Sequence, residues 1–178
     1  MRSIFAALLI FLVVSVSSAL GYDGERKGFI SSVGIGFAPM VKTSTSGGYF
    51  TSESDTKQGL FENIFAGYAW DNQNMIVLTV EMYMIGGGDS YYSYGPAWYH
   101  YFKTSNKSLY AVAGLGGYIF NEFCASELEN GFGIHLGGGY EFIRHVQIGA
   151  QYTFAKTSSS YEDHKHNILS LLISYVRF

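Results

Sequence analysis

From about residue 28 onward, apolar residues alternate with small or polar ones. In VQIGAQYTF, Val146, Ile148, Ala150, Tyr152 and Phe154 alternate with Gln147, Gly149, Gln151 and Thr153. In FISSVGIGFAP, Phe29, Val33, Ile35 and Phe37 share one parity, and Ser32, Gly34, Gly36 and Ala38 the other. In GFGIHLGGGYEF, Phe132, Ile134, Leu136, Tyr140 and Phe142 oppose Gly131, Gly133, His135, Gly137, Gly139 and Glu141. A period of two means extended strands with two unlike faces. Apolar outside with small and polar inside is the pattern of a transmembrane strand in a narrow barrel.

Eight such segments are expected, over about 28–40, 58–70, 75–86, 91–103, 108–120, 131–142, 145–156 and 166–178. Each is long enough for a tilted strand to cross the hydrocarbon, which takes about 9–11 residues. In GLFENIFAGYAW, Glu62 and Asn63 fall on opposite faces, so pattern alone leaves that segment unassigned. The predicted fold is all-β: an eight-stranded antiparallel up-and-down transmembrane β-barrel.

The connections alternate in length. DNQN (71–74), TSNKS (104–108) and IR (143–144) are short, whereas 41–57, 121–130 and 156–167 are longer and polar. The connection around GGGDS (86–90) is short and departs from the alternation. Short periplasmic turns and longer outer loops are usual in outer-membrane barrels, so both termini are expected in the periplasm. Aromatics are expected at two interfaces: Tyr68, Trp70, Trp98, Phe102, Tyr140, Phe142 and Phe178 at the periplasmic one; Tyr91, Tyr92, Tyr94, Phe120, Tyr152 and Phe154 at the outer one. The last segment, LSLLISYVRF, is expected to close the barrel against the first, with Ile168, Leu172, Val176 and Phe178 facing lipid. Closure is required, because unpaired backbone in lipid costs several kcal/mol per group.

Composition agrees with a lipid-facing surface. Charged residues are 14% of the 178, against roughly 25% in soluble domains; aromatics are 17%, with 22 glycines and 2 prolines. A net charge of −3 gives nucleic acid no reason to bind. The N-terminus carries Arg2, an apolar stretch from Ile4 to Val16, then Ser17, Ser18, Ala19 and Gly21. This reads as a signal peptide over 1–21, preceding a barrel domain over 22–178; an uncleaved anchor is the alternative. Loss of Arg2 alone takes the mature charge to −4, 10 bases against 14 acids. A single cysteine, Cys124, excludes an internal disulfide.

Four stretches resemble a known family. YGPAWYHYF (94–102), LYAVAGLGGYIF (109–120), HLGGGYEFIRHVQIGAQYTF (135–154) and the terminal SYVRF occur in the order and spacing of the small outer-membrane β-barrels, the OmpX-like and OmpA-like transmembrane domains and opacity-type "porin family" proteins. Tyr99 stands where that family often carries Arg. The resemblance implies residence in a Gram-negative outer membrane, among lipid and lipopolysaccharide, as a monomer. It also implies that Tyr175, Val176 and Phe178 resemble the signal read by the outer-membrane assembly machinery. It implies no single activity, because function belongs to sites and not folds.

An eight-stranded barrel is only wide enough to hold its own side chains. Glu81, Tyr99, Tyr101, His135, Glu141, Gln147 and Gln151 are therefore expected as an interior polar network filling the barrel, without a wide pore. HKH (164–166), with Glu162 and Asp163 beside it, offers two ligands to a divalent ion but reads more simply as a solvated loop. Glu122, Glu127 and Glu129 read as a solvated acidic loop, with calcium or a basic partner as the alternative. The candidates for a surface partner are Tyr49, Phe50, Glu127, Glu129, His164 and His166. Some barrels of this size modify lipid A; Ser170, His166 and Glu162 are the only set here that could act as nucleophile, base and orienting acid, and no motif joins them. No catalytic, cofactor or metal site is assigned, and a structural or surface-binding role through the loops is expected.

Overall fold

The computed structural model describes residues 26–46, 54–104, 107–121, 128–158 and 163–178. The expected leader (1–21), Tyr49, Phe50, Glu122, Cys124, Glu127 and Glu162 lie outside these residues. Eight strands follow one another: β1 (Gly28–Ser46), β2 (Ser54–Ala69), β3 (Asn74–Ile85), β4 (Ser90–Tyr101), β5 (Leu109–Asn121), β6 (Glu129–Ile143), β7 (Val146–Ser158) and β8 (Asp163–Arg177). Each pairs antiparallel with its neighbours in sequence, and β8 pairs with β1, so the sheet closes into a barrel. Among the described residues no helix is long and apolar enough to cross a membrane, which leaves crossing by strands open.

Both prolines sit where a missing N–H is tolerated. Pro39 lies in a bulge of β1, where the register shifts against both β2 and β8. The β4–β5 register runs from Tyr94↔Gly117 to Ala97↔Gly114, passing over Gly95 and Pro96. The tight β3–β4 connection turns through Gly87 and Gly88 at φ +97° and +96°, values that only glycine adopts without strain.

The outer face is an apolar belt. Ile35, Leu60, Leu78, Phe132, Leu136, Ile148 and Leu171 all face outward and are exposed. Inside, two aromatic and aliphatic layers are stacked along the axis. One gathers Ile30, Phe65, Met75, Tyr99, Tyr101 and Tyr110 at the end of the three short turns, here the turn end. The other gathers Val41, Phe61, Tyr83, Tyr91, Phe120 and Ile168 toward the opposite, loop end. In β2, Asn63 stands inside between Phe65 and Phe61, whereas Glu62 points outward. This settles the strand that pattern left open.

Three expectations are corrected. First, β8 turns the opposite face outward: Leu171, Ile173 and Tyr175 are exposed, while Ile168 and Val176 are fully buried and Leu172 packs on the loop-end layer. The even positions also carry His164, His166, Ser170 and Ser174, all buried, and a polar set of that size belongs inside. Phe178 packs against the turn-end layer instead of lipid. Second, Tyr91 and Phe120 stack on each other inside the barrel, with ring centroids 4.6 Å apart, and take no part in an outer girdle. Third, the strands run further at the loop end: β1 to Ser46, β2 from Ser54, β7 to Ser158 and β8 from Asp163. Beyond the belt the outward residues of these extensions are polar, and Lys42, Thr56 and Lys165 are exposed there. Alternation of hydrophobicity then stops while pairing continues.

Candidate functional site

The interior polar groups form three storeys. In the middle, Glu81 is fully buried on β3. Its Oε1 accepts from Gln151 Nε2 at 2.7 Å and Asn63 Nδ2 at 3.3 Å. Its Oε2 accepts from Ser93 Oγ at 2.8 Å and Tyr83 Oη at 3.3 Å. Donors from β2, β3, β4 and β7 thus converge on one carboxylate, which ties four strands across the lumen. His135 packs closely on β5: a Cβ on Gly114 would fall 2.2 Å from its Nε2. Glycine there is what admits the imidazole.

The turn end is plugged by Arg26, just before β1. It forms an ion pair with Glu141, both side chains being buried. Its Nε donates to Glu141 Oε2 at 3.0 Å, and its Nη1 donates to the carbonyls of Lys103 at 2.9 Å and Asn72 at 3.3 Å. The guanidinium stacks over Tyr101, 4.2 Å from the ring centroid. Tyr101 and Gln147 bond to each other at 3.2–3.4 Å just behind it. His145 occupies the β6–β7 turn at φ 70° and lays its ring 5.3 Å from Phe178. The backbone of Val176 bonds to the His145 carbonyl at 2.7 Å and to its imidazole Nδ1 at 2.8 Å.

At the loop end, Glu129 of β6 and His164 and His166 of β8 meet inside the rim, all three buried. His164 Nδ1 lies 2.9 Å from Glu129 Oε2. The Thr157 hydroxyl donates to the same carboxylate oxygen at 2.9 Å and lies 2.8 Å from His166 Nε2. The other nitrogen of His166 bonds to the Tyr91 hydroxyl, with Thr43 Oγ1 at 3.3 Å. A cavity of about 330 Å³ opens beside this group, lined among others by Thr43, Asp55, Lys57, Asp89 and His164. Lys57 bridges Asp89 at 2.9 Å and Asp55 at 3.3 Å.

The residues expected inside, Glu81, Tyr99, Tyr101, His135, Glu141, Gln147 and Gln151, are all buried. Of the terminal set, Tyr175 points outward, Val176 inward, and Phe178 across the turn end. Of the loop candidates, Glu129, His164 and His166 are not solvated loop residues: they lie on strands and are buried. Of the disfavoured lipid A-modifying set, Glu162 lies outside the described residues and the other two are engaged elsewhere. Ser170 Oγ donates to the Gln151 carbonyl at 3.3 Å, and His166 is engaged by Tyr91 and Thr157. Sequence reasoning missed Arg26, Tyr91 and Thr157. Thr157 shares the parity of Gln147 and Gln151, so it was readable as inward. Arg26 precedes the first strand, where no alternation marks its direction.

No family model and no curated protein matches the chain. Solved structures do. Neisserial surface protein A superposes with a TM-score of 0.52 at 17% identity, over 83% of this chain and 96% of that one. The N-terminal β-barrel domain of Pseudomonas aeruginosa OprF superposes with a TM-score of 0.50 at 13% identity, over 85% of this chain and 98% of that one. At such identities the likeness is one of fold. With eight strands, full closure and an apolar outer belt, this chain has the fold of the small outer-membrane β-barrels.

Proposed function

We propose that the protein is an integral component of a Gram-negative outer membrane, both termini periplasmic, with a structural or surface-binding role and no enzymatic activity. One observation carries the reading: the lumen is filled by two apolar layers with a hydrogen-bonded carboxylate between them. A lumen filled by its own side chains favours a structural role over a diffusion pore, and among the described residues Ser170 is buried and donates to a backbone carbonyl. The belt supports insertion among outer-membrane lipid and lipopolysaccharide, and Tyr175, Val176 and Phe178 suit handling by the assembly machinery. The side that meets partners is then the loop end. Past Phe37 and Leu60 the β1–β2 ribbon continues to Ser46 and Ser54, roughly 20–30 Å along the strands at about 3.3 Å per residue. Its exposed residues there are polar. Segment 47–53 joins the two ends of this ribbon in sequence, and its Tyr49 and Phe50, aromatics among Ser and Gly, suit recognition.

The test is expression of the full chain with its leader in a Gram-negative host. The expected product fractionates with outer membranes, changes gel mobility on boiling, and leaves the mass of lipid A unaltered. Shortening 47–53 should leave the heat-modifiable band intact and abolish whatever surface binding the cells acquire. A soluble periplasmic product, or a changed lipid A mass, overturns the proposal.

A further inference from the structure

The group at the loop-end rim has more chemistry than packing needs. Glu129, His164 and His166 each present a ligand atom, and the three atoms lie within 4.8 Å of one another. In a tetrahedral zinc site with bonds of about 2.0–2.1 Å, ligand atoms stand about 3.3 Å apart. The His164–Glu129 separation of 2.9 Å is already in that range. The Thr157 hydroxyl lies between Glu129 and His166, at 2.9 and 2.8 Å. A side-chain rotation of Thr157 and a small advance of His166 bring the third ligand in. Both histidines lie on β8, and Glu129 is the first residue of β6, reached across β7. A closed sheet thus fixes all three backbones.

We propose that Glu129, His164 and His166 form a transition-metal site, best suited to Zn²⁺, at the loop-end mouth of the barrel. Two imidazoles and one carboxylate are a borderline-soft donor set that favours zinc, copper or nickel over calcium or magnesium. Three protein ligands leave a fourth position open, and the 330 Å³ cavity that His164 lines supplies a water there. The surroundings are arranged as ligating histidines require: a metal-bound imidazole donates its remaining N–H to an oxygen. His166 has the Tyr91 and Thr43 hydroxyls at Nδ1 for that bond, leaving Nε2, the atom facing Thr157 and Glu129, for the ion. A hydroxyl can accept as readily as donate, so this switch needs no repacking. The approach is favourable for a cation, since Asp55 and Asp89 outnumber Lys57 along the cavity. The site does not depend on the proposed loop-binding role.

The test uses the full chain without a polyhistidine tag, extracted from membranes in detergent and equilibrated with chelator-buffered Zn²⁺. The expected result is one zinc per folded, heat-modifiable barrel by elemental analysis. His164→Ala and Glu129→Gln should each weaken it by about 100-fold or more, and Tyr91→Phe, which acts through His166, by about tenfold. His100→Gln, at the turn end, should leave it unchanged. Co²⁺ loaded into the unaltered chain gives a second readout that needs no variant: intense visible absorption for a tetrahedral site, weak absorption for surface-bound ion. No stoichiometric zinc on the folded barrel, zinc equally retained by folded His164→Ala and Glu129→Gln, or only weak Co²⁺ absorption overturns the proposal and leaves a hydrogen-bonded His–Thr–Glu chain.

Discussion

A buried carboxylate without a cation is tolerable only when donors surround it, and Glu81 shows how the barrel meets that condition. Four side-chain donors from four strands reach its two oxygens. Glu81→Ala removes the acceptor that all four share, for an expected loss of about 2–5 kcal/mol. Glu81→Gln keeps an acceptor on one side but turns an NH₂ toward two donors on the other, for about 1–3 kcal/mol. Urea unfolding in phospholipid vesicles measures both; a Glu81→Ala barrel as stable as the parent would show that the network contributes nothing. At this scale the sequence was readable wherever a residue's neighbours alternate. Glu81 lies among Met75, Val77, Thr79 and Tyr83 at one parity, opposite Ile76, Leu78 and Val80 at the other. It failed where a contact joins residues far apart without a pattern, as Arg26 joins Glu141.

Individual strands show where alternation stops being informative. In β8 both parities are apolar near the end of the chain, so the even residues Ile168, Leu172 and Val176 looked as lipophilic as Leu171, Ile173 and Tyr175. The decision is made by polar groups further along: His164, His166, Ser170 and Ser174 have the even parity and cannot face lipid. Leu171, between Phe37 and Ala150 in register, lies on the exposed face. Leu171→Lys should therefore destabilise the barrel in lipid by about 2–4 kcal/mol, measured by the same titration; a cost near zero would return β8 to the opposite orientation. The short turns are held by local chemistry. Asp71 Oδ1 accepts from the amides of Gln73 and Asn74 at 2.7 Å each, and from Asn74 Nδ2 at 3.1 Å. The Asn74 side chain first, and then the Gln73 amide, hold the Asp71 carboxyl below its ordinary range. A depressed value means that the turn is stabilised above the ordinary carboxylate pKa, near 4, and loosens as pH falls through the lower folded value. Protection factors of the Gln73 and Asn74 amides, taken against intrinsic exchange at each pH, should fall over that acidic window, and Asp71→Asn should flatten the dependence.

For the whole molecule, closure and filling are separate consequences of one pattern. Eight strands of alternating residues close because no edge can be left in lipid. Once closed, they enclose a lumen that their inward side chains fill. The strand count, the closure and the short turns were legible, because the belt imposes alternation on every strand that crosses it. The storeys inside were not, because inward residues carry no mark of height until register is known. Register places Arg26 and Glu141 at the turn end, Glu81 in the middle, and Glu129 with the β8 histidines at the rim. The obstruction thus has three polar storeys, with the two apolar layers between them. Removing one plug should not open the barrel. Reconstituted into planar bilayers, the folded chain is expected to show no steady conductance. Arg26→Ser with Glu141→Ser should also show none, because Tyr101, Tyr99 and Phe65 still fill the layer behind the lost ion pair. If the double variant conducts while the parent does not, the ion pair alone is the gate and the aromatic layer yields to water. If both conduct in reproducible steps, the filled lumen is not the conducting state and the protein is a channel.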